Sequence, residues 1–138
     1  MSLVYLDSSA LLKLLVEEAE SERLNGVINS YLATDVRLVT SALAKVELSR
    51  ARIRNDLGGA SDRFESLAQN NIFDILDVIQ ITEPILDVAS SIPHHVKSLD
   101  AIHLATADVL REDLEVLITY DDNMLRVGKL LNLNARIA

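Results

Sequence analysis

The chain has 138 residues, 49% of them hydrophobic and 25% charged, with only four Gly and two Pro, so it reads as one folded domain over residues 1–138 with no disordered or low-complexity part. It contains no cysteine, which excludes disulfides, thiol chemistry and cysteine-held zinc. A formal charge of −8 excludes a broad basic face for gripping nucleic acid, and with no membrane-length apolar run and no secretory leader the expected setting is cytoplasmic.

Leu3-Val4-Tyr5-Leu6 is a short apolar run ending at Asp7 and predicts a buried strand. Ser8 or Ser9 caps a helix from Ala10 to about Glu18, and a second helix covers Glu20 to Tyr31. Val36 to Thr40 predicts the next strand, and Ser41 opens a helix to about Asn55, where Gly58-Gly59 breaks the pattern. Residues 61–71 look helical, Asp77 to Ile81 alternates like a strand, and Glu83 to Ser91 is helical until Pro93 stops it. Ser98 opens another helix to about Arg111. Val116 to Thr119 predicts a strand stopped by Asp121-Asp122, followed by a short helix from Met124 to Leu131 and a final strand from Ala135 to Ile137. Short apolar strands alternating with helices predict an α/β fold whose parallel sheet is covered on both faces.

In such a sheet, ligands bind outside the carboxyl ends of the strands. Asp7 follows the first strand, and Asp121 follows the fourth after one intervening residue, so both belong to that edge. The helix opening at Ser98 leads into the fourth strand and starts at the same edge, which brings Asp100 in its first turn. Glu47, in the second turn of the helix after strand two, has the length to reach back. Each acid alone has an ordinary explanation as a cap, a turn residue or half of a surface ion pair. Their convergence points to more. Asp100 shares a helical stripe with His103, Leu104 and Ala107 within an apolar run, and a partly buried cluster of carboxylates either raises its own pKa values or recruits a cation, which without a lysine among the four points to a metal. Magnesium or manganese suits an all-oxygen set, and the chemistry that follows is phosphoryl transfer.

Four segments carry a family likeness: Tyr5-Leu6-Asp7-Ser8-Ser9-Ala10-Leu11-Leu12-Lys13, Ser41-Ala42-Leu43-Ala44-Lys45-Val46-Glu47, Ser98-Leu99-Asp100-Ala101-Ile102-His103-Leu104-Ala105-Thr106-Ala107, and Leu117-Ile118-Thr119-Tyr120-Asp121. With them the chain resembles the PIN-domain ribonucleases, and more closely the VapC-type toxins of bacterial and archaeal toxin–antitoxin pairs. The resemblance implies a three-layer α/β/α sandwich around a five-stranded parallel sheet in the order 3-2-1-4-5. It also implies endonucleolytic cleavage of RNA with Mg2+ or Mn2+, a homodimer, and a VapB-type antitoxin that blocks the cleft in a heterotetramer or larger assembly. By position, Asp7, Glu47, Asp100 and Asp121 are the metal-site and catalytic acids, and Ser9 and Thr119 are supporting hydroxyls. Asn123 departs from the basic residue the family often carries two positions after the fourth acid, and Asp122 competes with Asp121 for that role, although the Thr-Tyr-Asp register favours Asp121.

Arg50 and Arg54 follow Glu47 at three and seven positions, so the three share a helix face that runs from the acids towards RNA phosphates or forms a surface ion-pair stripe. Lys97 stands at a position that is often basic in the family. His103 is either a satisfied core histidine or a hydrogen-bonding group at the site, while His94-His95 match no metal spacing. Leu11, Leu12, Leu14, Leu15 and Val16 exceed one buried face, which suits contact with another subunit or the antitoxin. Two rival functions remain: a receiver-like phosphoacceptor signalling domain, and a catalytically inactive PIN scaffold. The missing second acid after Asp7 counts against the first, and the complete set of four acids against the second.

Overall fold

In the computed structural model, which describes residues 1–15, 20–56 and 72–138, strands and helices alternate. The strand β1 (Ser2–Leu6) leads into helices α1 (Ser8–Leu15) and α2 (Ser21–Leu32), and β2 (Val36–Ser41) leads into α3 (Leu43–Asp56). A 3-10 turn at Ile72–Asp74 precedes β3 (Leu76–Ile79), α4 (Glu83–Ser91) and α5 (Ser98–Val109). β4 (Leu114–Ile118), α6 (Asp122–Leu130) and β5 (Ala135–Arg136) complete the order. The helix expected over 61–71, the Gly58-Gly59 break, Val16 and the expected helix end at Glu18 lie outside the described residues.

All four strand pairings are parallel, and the sheet runs β3-β2-β1-β4-β5. The sheet order therefore matches the expected PIN-like order. Receiver domains share the doubly wound principle but run 2-1-3-4-5, so the topology removes the signalling rival.

The alternation of side chains along each strand divides the core in two. Val4, Leu6, Leu38, Val116 and Ile118 face Leu11, Leu15, Leu24, Ile28 and Leu48 from α1, α2 and α3. Tyr5, Val39, Leu117 and Ala135 face Leu104, Ala107, Met124 and Val127 from α5 and α6. Helices thus cover both faces, giving three layers. Val4, Tyr5 and Leu6 of the central strand are all 0% exposed, and burying each such side chain contributes roughly 1.5–3 kcal/mol. That core fixes β1, and with it the start of α1.

Near the last strand the chain turns tightly. Leu133 N donates to Gly128 O and Asn132 N to Lys129 O, both at 3.0 Å, while Asn132 adopts φ 62°. This paired left-handed cap ends α6 and aims the chain into β5. Gly128 permits the approach: a Cβ there would lie 3.0 Å from the Ala135 Cβ. Among the described residues no helix is long and apolar enough to cross a membrane.

Candidate active site

Asp7 is the first residue past β1, and its amide donates to Ile118 O of β4 at 3.3 Å. It is 1% exposed, and its carboxylate is met by three hydrogen-bond donors. Oδ1 accepts from the Ser9 hydroxyl at 2.6 Å and the Ala10 amide at 2.9 Å, and Oδ2 accepts from the Thr119 hydroxyl. The Ala10 contact caps α1, so the helix begins at Ser8 rather than at Ala10. Burial pushes the Asp7 carboxyl up; the Ser9 and Thr119 hydroxyls and the Ala10 amide pull it back without cancelling the rise.

Glu47 projects from α3 and is tied to two other elements. Its Oε1 accepts from Ser8 Oγ at 2.5 Å and lies 2.6 Å from His103 Nε2. Burial works to raise this carboxyl, but the His103 and Ser8 hydrogen bonds outweigh it and hold the group below its ordinary value. His103 is 1% exposed, and its Nδ1 lies 2.6 Å from the Tyr5 hydroxyl. Burial holds that phenol well above its usual range, so it stays protonated. Sequence reasoning left His103 between two roles and did not single out Tyr5 or Ser8. The available signals were Ser8 beside Asp7 and His103 one turn after Asp100.

Asp100 lies in the first turn of α5, and Asp121 is the residue before α6, where Oδ1 accepts from Met124 N at 2.8 Å. Asp7, Glu47, Asp100 and Asp121 all line one cavity of about 190 Å³, together with Ser8, Ser9, Arg54 and His103. Burial pushes the Asp100 carboxyl up, and the charges of Asp121, Glu47 and Asp7 act in the same direction against an opposing pull from His103. The acids therefore feel one another.

The PIN domain profile matches residues 4–130. The chain belongs to the PIN-domain family. Within it the chain is similar to Ribonuclease VapC46 of Mycobacterium tuberculosis, at 40% identity over 134 residues, 96% of this chain and 95% of that protein. It is also similar to Ribonuclease VapC47 of the same species, at 36% identity over 124 residues, covering 89% and 88% of the two chains. VapBC2 from Rickettsia felis, crystallised with a DNA fragment from its promoter, contains a chain that superposes with a TM-score of 0.71 at 12% identity. The superposition covers 99% of this chain and 98% of that one and shows the shared fold.

The remaining predicted residues of this PIN domain fall into two groups. Ser9 and Thr119 stand behind Asp7, and the Thr119 hydroxyl also accepts from Asp121 N at 3.1 Å. Arg54 lines the cavity, whereas Arg50 and Lys97 are exposed outside its lining. Asp122 is exposed in the first turn of α6 and does not line the cavity; Asp121 does. Asn123 donates to His95 O at 3.2 Å and accepts from Arg126 at 2.8 Å, which ties α6 to the loop before α5.

Among the described residues, no three His, Asp or Glu side chains form a ready coordination cluster. Mg2+ takes one or two carboxylates directly and keeps several waters, and this cavity offers four acids with room for water. The all-oxygen donor set and the mutual charge pressure on Asp100 fit such a cation.

Proposed function

We propose that this chain is a VapC-type endoribonuclease toxin in which Asp7, Glu47, Asp100 and Asp121 hold Mg2+ or Mn2+ and water cuts the RNA phosphodiester bond. The observation that carries the reading is the convergence of four carboxylates from four separate elements on one cavity. The ribonuclease designation of relatives at 36–40% identity supports RNA as the substrate.

A bound divalent ion supplies a water of lowered pKa and stabilises charge on phosphate oxygens. The residues prepare its place. Asp7 is immobilised by the Ser9 and Thr119 hydroxyls and the Ala10 amide. Asp100 and Asp121 repel each other, and a cation relieves that repulsion. Arg54 places a guanidinium in the same lining, suited to a substrate phosphate, and exposed Arg50 and Lys97 extend positive charge along the approach.

Structural likeness to VapBC assemblies supports a VapB-type antitoxin as partner. The same reading gives the chain a homodimer, a heterotetramer or larger assembly with the antitoxin, and cytoplasmic action. Partly buried Leu12 and Leu14 of α1 offer apolar surface for those contacts.

The test is incubation of the purified chain with cellular RNA and sequencing of the new ends. Cleavage is expected with Mg2+ or Mn2+, none with chelator, and none from Asp7→Asn, whose fold is checked by circular dichroism. Full activity in Asp7→Asn sinks the proposal. Neither ion binding nor cleavage by the unaltered protein selects the inactive scaffold.

A further inference from the structure

Helix α3 carries Glu47 but is weakly anchored by apolar packing. Leu48 is the large buried side chain on it, with Ala44 and Ala51, whereas Val46 and Ile53 are 60% and 52% exposed. Holding a side chain on such a helix to the accuracy a reactive site needs calls for polar ties at that side chain as well.

Both ties reach the same carboxylate oxygen, Oε1, from Ser8 and His103. No hydrogen bond reaches Oε2 among the described residues, and Glu47 lines the acid cavity, so Oε2 is the oxygen left for what binds there. The histidine is held in turn. Its ring meets Tyr5 edge-on at 79° with centroids 5.9 Å apart, and Tyr5 lies on the central strand at 0% exposure.

The direction of the chain follows from donor counts. A carboxylate only accepts, so His103 Nε2 carries the hydrogen towards Glu47; in the neutral ring Nδ1 is then an acceptor, and the Tyr5 hydroxyl donates to it. A serine-hydrolase relay would need the acid and the serine on opposite ring nitrogens. Here Ser8 and Glu47 both approach Nε2, at 3.2 and 2.6 Å, so Ser8 is not a nucleophile activated by this histidine.

We infer that His103, supported by Tyr5, is a positioning residue that locks Glu47 with one carboxylate oxygen turned into the acid cavity. The inference rests on the proposed divalent-ion nuclease site. Outer-shell donors of this kind orient a ligand without touching the ion.

The experiment compares His103→Leu, His103→Gln and Tyr5→Phe with the unaltered protein. Mn2+ affinity is read by the loss of free-ion electron-spin signal, RNA cleavage by kcat and KM, and folding by thermal melts. His103→Leu is expected to lose roughly ten- to a hundredfold in Mn2+ affinity, the usual cost of removing such a partner. His103→Gln, which places an amide N–H near the Nε2 position, restores most of it, and Tyr5→Phe shows a smaller loss in kcat with KM unchanged. Should His103→Leu fail to fold, the Gln and Phe variants still decide. Wild-type affinity and kcat in all folded variants, or no rescue by Gln relative to Leu, overturns the inference.

Nitrogen-15 spectra of the metal-free protein give an independent reading. A proton on His103 Nε2 is expected at neutral pH, and Nδ1–H with bare Nε2 overturns the inference. If the unaltered protein binds neither Mn2+ nor Mg2+, the ion-site reading fails, and the nitrogen spectra still judge the positioning of Glu47.

Discussion

Replacing Thr119 by Val tests how the fold holds a buried carboxylate. The side chain is 0% exposed and close in shape to valine, so packing is kept while one hydroxyl is lost. That hydroxyl donates to Asp7 Oδ2 and accepts from Asp121 N at 3.1 Å. A hydrogen bond to a charged group is worth about 1.5–3 kcal/mol, and leaving its partners unpaired retains their desolvation cost. A loss of about 2 kcal/mol is the working figure. With an unfolding entropy of roughly 2.1 cal/mol/K per residue, 138 residues give about 0.29 kcal/mol/K, so Tm falls by roughly 7 °C. The loss depends on pH with a definite sign. Burial raises the Asp7 carboxyl in the folded state, so this Asp costs stability as pH climbs from its unfolded value through its folded one. Thr119 is one of the groups that limit the rise, so its removal raises the carboxyl further. The Tm deficit is therefore largest at neutral pH and shrinks in acid, where both proteins hold Asp7 neutral, and the acid limb of kcat/KM moves to higher pH. Melts from about pH 4 to about pH 8 with matched cleavage assays decide the matter. An equal Tm deficit at every pH, or an acid limb moved downward, refutes this reasoning.

Asp100→Asn removes a group whose ionised form is disfavoured by burial and by the charges of Asp121, Glu47 and Asp7, so without divalent ions its melting point is expected at or above wild type while cleavage is lost. A clear drop in Tm contradicts that account. Gly128→Ala places a Cβ 3.0 Å from that of Ala135; overpacking of about 1–3 kcal/mol outweighs a helix-propensity gain of about 1 kcal/mol, and urea melts are expected to show a net loss. Arg54→Ala is expected to raise KM for RNA and reduce the salt slope by about one, with kcat nearly unchanged; a selective fall in kcat speaks against phosphate binding there.

The sheet was legible because Val4, Tyr5 and Leu6, like Val116, Leu117 and Ile118, are apolar on both faces, which suits only a strand covered from both sides. Its ends were less so. β3 spans Leu76–Ile79 rather than Asp77 to Ile81 because pairing with Leu38 through Ser41 sets the register, and Ile81 is 37% exposed beyond it. In the site, the choice between a helix cap and a cleft residue was a false one for Asp7 and Asp121. Each accepts the hydrogen bond of a helix start and lines the cavity as well. The His103 contact with Glu47 spans 56 residues and depends on how α3 sits against α5, which no local pattern encodes.

A formal charge of −8 and an RNA substrate are compatible only if charge is reversed locally. The cavity lining holds four carboxylates and, among the described residues, a single guanidinium, Arg54. Among the described residues, the lining leaves its carboxylates in excess of positive charge. Donors around Asp7 limit the penalty of burial without cancelling it, and Asp100 remains under pressure from its neighbours. That standing imbalance is a cost to the fold, and in the proposed nuclease a divalent cation would remove it while presenting positive charge to a phosphate. On that proposal, the feature that makes the site unfavourable for the isolated chain is the one that would let an acidic protein approach a polyanion at a single place.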